Sequence, residues 1–358
     1  MDIYSLQRIY RRMRSPQLKL AAIRTARTLG IRHLMVRIDT NDACNLRCVM
    51  CTLSAPGRKP IAKPMSTERF AELAKQLLPR TRFLYLSCAT EPLATPHFDE
   101  ILDVAGSHRV PFLAYATNGH LLKTKFIEAT LRNGVDEVIF SVDGATKATY
   151  EAIRVGGRWE NLEERLREFT AARRAWSGKV PTVRFNFTAQ KENVHEVTDF
   201  ARWAMQWDPA TIQIRMFMRL QGAVKQDDDV VYTTRRLLEA MPEVERIAAE
   251  HGAGVERFNI PDHVPEPIAE AGTAEPAVVI PAPVRPRRID CQLPWFTVYV
   301  KTDGAMHPCS VHPAVGNVFE SSYRDVDRGA AMRALRSSLR SQPKDICIDC
   351  QRSGTSGV

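Results

Sequence analysis

Between residues 33 and 217 the chain alternates two patterns of apolar and polar positions. Short runs rich in β-branched and aromatic residues read as strands: HLMVRID (33–39), RFLYLS (82–87), PFLAYA (111–116), VDEVIFSV (135–142), TVRFNFT (182–188) and TIQIRMF (211–217). Between them, apolar residues recur at helical spacing over 66–78, 97–107, 121–133, 146–176 and 194–206. Ser66 and Thr67 offer a cap for the first of these helices. Six βα-type units in series predict a parallel sheet with helices outside it. Six are too few to close an eight-fold barrel. The expected fold class is therefore α/β: a partial (β/α)6 TIM-like barrel with its chemistry at the carboxyl ends of the strands.

The flanks follow other patterns. Residues 2–14 and 16–29 predict two helices, separated by the Ser15-Pro16 start signal and stopped at Gly30. Ile3, Leu6, Ile9, Tyr10 and Met13 form an apolar stripe in the first, with Arg8, Arg11, Arg12 and Arg14 largely off it. Residues 221–260 predict a helix near 233–251 and a short strand. Seven prolines over 261–286 predict an extended linker or loop. Beyond 289, Thr302-Asp303-Gly304 signals a hairpin turn, and a helix is expected at 326–340. These changes divide the chain into a basic N-terminal segment (1–32), a barrel core (33–220), a connecting region (221–288) and a small C-terminal domain (289–358).

Composition narrows the function. The chain has 358 residues, 44% hydrophobic and 25% charged, ample for a large core. It holds no apolar run of transmembrane length, and its arginine-studded start lacks the apolar stretch of a secretory signal, so a cytoplasmic location is expected. The net charge of +9 is unevenly placed: residues 1–37 carry nine Lys/Arg against Asp2, which leaves about +1 for the rest. A near-neutral body with a basic arm does not suggest a nucleic-acid partner. The arm reads as a capping helix with a solvated basic face, or as a peripheral contact with an anionic membrane surface.

The cysteines carry the chemistry. DACNLRCVMC (42–51) places Cys44, Cys48 and Cys51 in a C-x3-C-x2-C pattern just after the first strand. Three thiolates are one short of a closed zinc site or a fully protein-bound iron–sulfur cluster. They can hold three irons of a 4Fe–4S cube and leave the fourth for an exogenous ligand. Four more cysteines, Cys291, Cys309, Cys347 and Cys350, cluster near the C-terminus. Cys88 stands alone and reads as a small buried thiol.

CNLRCVMC resembles the cluster motif of the radical S-adenosylmethionine (SAM) superfamily. The resemblance implies a SAM-binding 4Fe–4S cluster whose open iron is chelated by the methionyl amine and carboxylate. Reductive cleavage of SAM then gives a 5′-deoxyadenosyl radical that abstracts hydrogen from an unactivated C–H bond. Further landmarks appear in order. SCATEPL (87–93) stands where the family has a Gly-Gly-Glu-Pro-like turn, with Thr90 in place of the usual glycine; ATNG (116–119) ends the third strand; FSVDGATKATYEAIR (140–154) ends the fourth. By these matches Glu91 would accept the methionyl ammonium, and Met50, Ser141 and Arg154 would contact SAM, the arginine fork suiting a carboxylate. Ser141 and Asp143 also suit a simple turn with Gly144, and Arg154 a surface helix position. Cys291-x12-Gly304-x4-Cys309, then Cys347-x2-Cys350, resembles the SPASM domain with one auxiliary 4Fe–4S cluster; a zinc knot completed by His307 or His312 is the alternative.

The reading is an oxidoreductase of this superfamily, supplied with electrons by a flavodoxin or ferredoxin. The short segment before the barrel points to a small polar metabolite or sugar as substrate. The alternatives are a peptide- or protein-modifying maturase and, in another class, a zinc-bearing nucleic-acid or scaffold protein.

Overall fold

In a computed structural model the chain is described over residues 15–60, 62–87, 89–217, 230–264 and 289–352. The helix expected at 2–14, Cys88 and most of the proline-rich linker lie outside the described residues. The strands are β1 (Leu34–Ile38), β2 (Thr81–Leu86), β3 (Phe112–Thr117), β4 (Glu137–Ser141), β5 (Thr182–Ala189) and β6 (Thr211–Met216), as the apolar runs predict. Helices α1 (Pro16–Thr28), α2 (Thr67–Leu77), α3 (Phe98–Ser107), α4 (Thr124–Arg132), α5 (Lys147–Ile153), α6 (Trp159–Ala175), α7 (Val197–Met205) and α8 (Val230–Glu250) precede or follow them. The stretch expected to be helical over 146–176 is two helices, α5 and α6, interrupted around Gly156-Gly157.

The sheet is larger than six strands. β7 (Gly254–Phe258) pairs parallel with β6, so the sheet continues past residue 220. On the opposite edge β8 (Thr297–Val300) pairs parallel with β1, with Met35 opposite Thr297 and Ile38 opposite Val300. β9 (Ala305–His307) and β10 (Gly316–Asn317) follow antiparallel, giving the order β10-β9-β8-β1-β2-β3-β4-β5-β6-β7. The C-terminal domain therefore grows out of the barrel sheet and covers the edge that β1 would otherwise leave open. The turn between β8 and β9 carries Gly304 at φ 87°, where an added Cβ would lie 2.3 Å from the Phe319 ring and 2.4 Å from the Asn317 amide.

Two-residue alternation sorts the strands' side chains. Val36, Leu84, Leu113, Val138, Phe185 and Ile212 face the helices in the main apolar core. Met35, Tyr85, Ala114 and Ile139 form a smaller cluster of their own on the other face. A polar wall continues that inner face: Glu137 pairs with Arg184 at 3.0 Å, Arg184 approaches Glu256 at 3.6 Å, and Gln213 donates to Glu256 at 2.7 Å.

The remaining helices are α9 (Leu293–Phe296), α10 (Tyr323–Arg328), α11 (Ala330–Ser341) and α12 (Asp345–Arg352). The helix expected at 326–340 is thus divided, with Gly329 between α10 and α11. α1 is tied to this domain through buried Asp327, which accepts from both Arg27 and Arg336. Among the described residues no helix is long and apolar enough to cross a membrane.

Candidate active site

The loop after β1 is shaped locally. Asn41 accepts the Ala43 N–H at 2.8 Å through its side chain and donates to the Glu91 carbonyl at 2.7 Å. The Cys51 N–H donates to the Cys48 carbonyl at 3.1 Å. Two of the three sulfurs accept backbone N–H groups: Leu46 donates to Cys44 Sγ and Leu53 to Cys51 Sγ, each at 3.4 Å. Asn118, from the ATNG turn, adds its amide to Cys44 Sγ at 3.6 Å.

α5 and the turn after it clamp this loop from behind. Arg47 N–H donates to the Val155 carbonyl at 2.8 Å and Val49 N–H to the Ile153 carbonyl at 2.9 Å. The close fit of α5 depends on Gly144, where a Cβ would lie 2.7 Å from the Tyr150 nitrogen and 2.9 Å from its Cα. The carboxylate of Glu196 fixes the start of α5, accepting from Ala145 N–H at 2.7 Å and the hydroxyls of Thr146 and Thr149 at 2.7 and 2.6 Å.

A cavity of about 370 Å³ opens at the carboxyl ends of the strands. Cys44, Cys48, Met50, Cys51, Glu91, Ser141 and Arg154 all line it, so every candidate named for the barrel reaches one space. Thr188, Arg215, Phe217 and Phe258 form further parts of its wall, with the Arg215 guanidinium 5.3 Å from the centre of the Phe258 ring. Sequence reading missed these residues; only the strand-end positions of Thr188 and Arg215 signalled them.

Glu91 and Arg154 are more constrained than their motifs suggest. Glu91 is buried, and its carboxylate accepts from Thr117 Oγ1 at 2.7 Å, Asn118 N–H at 2.7 Å and Leu93 N–H at 3.1 Å. Burial outweighs these donors and lifts its pKa to about 7. Arg154 is not a surface residue: it is buried, and its Nη2 lies 2.7 Å from the carboxylate of buried Asp143. Asp143, considered above only as a turn former, also accepts the Thr188 N–H at 2.8 Å and so ties the ends of β4 and β5 together.

Burial pushes the Cys48 thiol up to about 12, while Arg154 opposes the rise and Asp143, Cys44 and Cys51 add to it. The Cys44 thiol is also raised, again mainly by burial. Three interacting sulfurs, one buried and two half-buried, with backbone N–H donors on two of them, suit a cationic iron–sulfur group, because a bound metal deprotonates such thiols outright.

The second cysteine group is assembled from separate elements. Cys291 precedes α9, Cys309 follows β9, and Cys347 and Cys350 lie on α12. Burial raises the Cys291 thiol to about 12, with Cys309, Cys350 and Cys347 contributing in the same direction, so the four share one locality. The ring Nδ1 of His307 lies 3.0 Å from the His312 carbonyl, and that of His312 lies 2.9 Å from the Pro313 carbonyl. Among the described residues, no group of three His, Cys, Asp or Glu side chains is arranged to hold a single metal ion.

Comparison with known proteins agrees with this division. Residues 38–204 match the model of the radical SAM superfamily, and residues 291–351 match SPASM, an iron–sulfur cluster-binding domain. Over 173 residues the chain is 29% identical to the mycofactocin maturase MftC of Mycobacterium tuberculosis, a match covering 48% of this chain and 41% of MftC. Over 242 residues it is 27% identical to the GTP 3′,8-cyclase of Chlorobaculum tepidum, covering 64% of this chain and 68% of the cyclase. The match to MftC thus spans less than half of that relative's length. The SAM-bound structure of Streptococcus suis SuiB shares the fold, with a TM-score of 0.64 at 14% identity, over 91% of this chain and 72% of SuiB. The two domains imply a SAM-binding 4Fe–4S cluster, an auxiliary cluster and SAM itself, in place of the zinc alternative. The chain joins a radical SAM domain to a SPASM domain and belongs to the SPASM-bearing branch of the radical SAM superfamily.

Proposed function

We propose that this enzyme oxidatively modifies a peptide or protein at an unactivated C–H bond. The observation that carries the reading is the convergence of Cys44, Cys48, Cys51, Glu91, Ser141 and Arg154 on one cavity at the strand ends. When bound, SAM and the clusters supply the reducing electron, a hydrogen-abstracting carbon radical and an acceptor for a second electron.

The chain's own residues bind and orient these groups. Cys44, Cys48 and Cys51 would hold the cluster with an open iron; Cys291, Cys309, Cys347 and Cys350 would hold the auxiliary one. Glu91 would meet the methionyl ammonium, although its carboxylate already accepts three hydrogen bonds. Arg154, steadied by Asp143, would turn its remaining donors to the methionyl carboxylate, with Ser141 and Met50 beside it. The walls of the cavity would keep water from the reacting carbon.

The relatives favour a peptide over the small polar metabolite expected from the short N-terminal segment. MftC is named a maturase, and SuiB has been seen with its precursor peptide SuiA. The match to GTP 3′,8-cyclase, which extends over more of this chain, supports a small-molecule substrate as a second reading. Anaerobic incubation with SAM, a reductant and either precursor-type peptides or nucleotides and sugars separates the two. The proposal expects 5′-deoxyadenosine and a loss of two hydrogens from a peptide. Modification of only the small molecules would overturn it.

A further inference from the structure

Part of the basic N-terminal segment walls a second cavity, away from the barrel site. This opening of about 590 Å³ lies between Leu20, Ala21 and Arg24 of α1 and, facing them, Ile289, Trp295 and Leu339. Cys291 lines it as well, so the cavity reaches a cysteine proposed above to hold the auxiliary cluster. Its far walls are fixed by the fold. Ile289 N–H donates to the Leu339 carbonyl at 2.7 Å. The Arg336 guanidinium donates to the Pro294 carbonyl at 3.0 and 2.7 Å and lies 5.8 Å from the centre of the Trp295 ring.

The charges around this cavity are of two kinds. Arg27 and Arg336 are neutralised by buried Asp327. Arg24 and Arg340 line the cavity and are exposed, and among the described residues no carboxylate lies within ion-pair distance of either. Arg340 lies over Trp295 instead, 5.4 Å from the ring centre. Asp290 is the one acidic residue in the described lining. In the sequence, Arg8, Arg11, Arg12 and Arg14 lead into α1, and Arg285, Arg287 and Arg288 lead into Ile289. An apolar, aromatic centre with arginines at its edge has the make-up of a protein interface, and the excess of positive charge selects an acidic partner.

We propose that this cavity, with Arg24 and Arg340, is the docking surface for an acidic one-electron carrier protein that exchanges electrons with the auxiliary cluster. The inference rests on the assignment of Cys291 as a ligand of that cluster. One electron crosses at a time: the carrier is oxidised as the cluster is reduced, or the reverse, and no covalent bond is made or broken. An electron that an oxidised substrate leaves on the auxiliary cluster must depart before the next turnover, and this surface gives it an exit. The arginines steer the carrier by charge, while the apolar wall around Trp295 excludes water from the contact.

The test uses the reconstituted full-length enzyme and an acidic flavodoxin, with binding followed by isothermal titration and electron exchange by anaerobic stopped-flow absorbance of the flavin. Arg24→Glu combined with Arg340→Glu should raise the dissociation constant and slow the exchange by about tenfold or more, and added salt should weaken the wild-type complex more than the variant's. Formation of 5′-deoxyadenosine driven by dithionite, which needs no docking, should be unchanged. Arg167→Glu combined with Arg235→Glu makes the same change of charge at exposed positions of α6 and α8 and should behave as wild type. A variant lacking Cys44, Cys48 and Cys51 should still exchange one electron with flavodoxin; no exchange would show that the carrier addresses the barrel cluster and would overturn the proposal. Wild-type binding and exchange in the Arg24/Arg340 variant would also overturn it, while leaving the proposed function intact. So would loss of binding only to phosphatidylserine vesicles, which would make the surface a membrane contact. If the Glu variant fails to load iron, Arg24→Gln combined with Arg340→Gln decides on the same readouts. Wild-type enzyme that exchanges electrons with flavodoxin yet modifies no peptide would remove the proposed function and leave this surface standing.

Discussion

The two cysteine groups are built in opposite ways. Cys44, Cys48 and Cys51 share one short loop, braced by α5 and bordered by a cavity that contains Glu91, Ser141 and Arg154. Cys291, Cys309, Cys347 and Cys350 come from three separate parts of the C-terminal domain and meet only when β8, β9 and α12 have packed. Cys291 borders a different cavity, of about 590 Å³, whose walls include Leu20, Trp295 and Leu339. By ligand count, as proposed above, the first group would leave an iron open to SAM beside polar residues placed to hold it. The second would offer a cysteine for each iron, which would suit electron transfer or structural support.

That contrast can be broken most sharply at the second group. Cys347→Ala combined with Cys350→Ala should abolish product formation while 5′-deoxyadenosine is still made, as measured by chromatography of quenched anaerobic reactions. Full product yield from the double variant would show that the auxiliary site has no part in oxidation. A substrate ligand bound directly to the auxiliary iron, seen by EPR, would show that the site is open.

The bracing of the loop is tested next. Gly144→Ala places a Cβ against backbone atoms of Tyr150, which cannot rotate away as a side-chain tip can. Overpacking of this kind costs about 1–3 kcal/mol, and here it should also lower iron occupancy of the barrel site more than of the auxiliary site. Equal loss at both sites, measured by iron analysis and Mössbauer spectroscopy, would show that α5 does not specifically support the loop.

Glu91→Gln should weaken SAM binding by about 1–2 kcal/mol, because a charged acceptor becomes neutral. With Glu91 raised to about 7, wild-type affinity for SAM should improve as pH rises through that value, and the Gln variant should lack this slope. Stability of the SAM-free protein should run the other way. The folded state holds a proton that the unfolded carboxyl, with pKa about 4.3, releases. That contribution is complete below about pH 4.3 and is lost as pH rises toward about 7. Isothermal titration and chemical denaturation across pH 5 to 8 separate the two trends. The smallest effect should come from Tyr115→Phe, which loses its bond to Thr130 within the main apolar core and should cost about 1 kcal/mol of stability with no change in SAM affinity.

The barrel site was legible in the sequence because it is local. The cysteine spacing, the strand-end position of SCATEPL and the SVDG turn all lie within short windows, and hydrophobic periodicity placed β1 to β6 correctly. What the sequence hid depends on long-range partners. Nothing in the TVYV run indicates that β8 pairs with the outer edge of β1, since periodicity reports a strand but not its neighbour. The pairing of Arg154 with Asp143 was missed because a motif gives a residue's type, while its side-chain direction is set by packing. The four C-terminal cysteines could be grouped from spacing, but their convergence required α12 to fold back toward Cys291 and Cys309. The helical stretches expected over 146–176 and the helix expected at 326–340 are interrupted at Gly156-Gly157 and at Gly329, glycines visible in the sequence, but periodicity alone does not say whether a glycine ends a helix or sits inside it.

The most direct measurement is iron content and reductive SAM cleavage, made side by side on the wild-type enzyme and on the variant carrying Cys44→Ala, Cys48→Ala and Cys51→Ala. The wild type should hold two 4Fe–4S clusters and form 5′-deoxyadenosine when given a reductant. The triple variant should lose one cluster, keep the auxiliary one and form no 5′-deoxyadenosine. Persistent SAM cleavage in a variant that has lost that iron would contradict the assignment of the barrel cysteines as the catalytic cluster site.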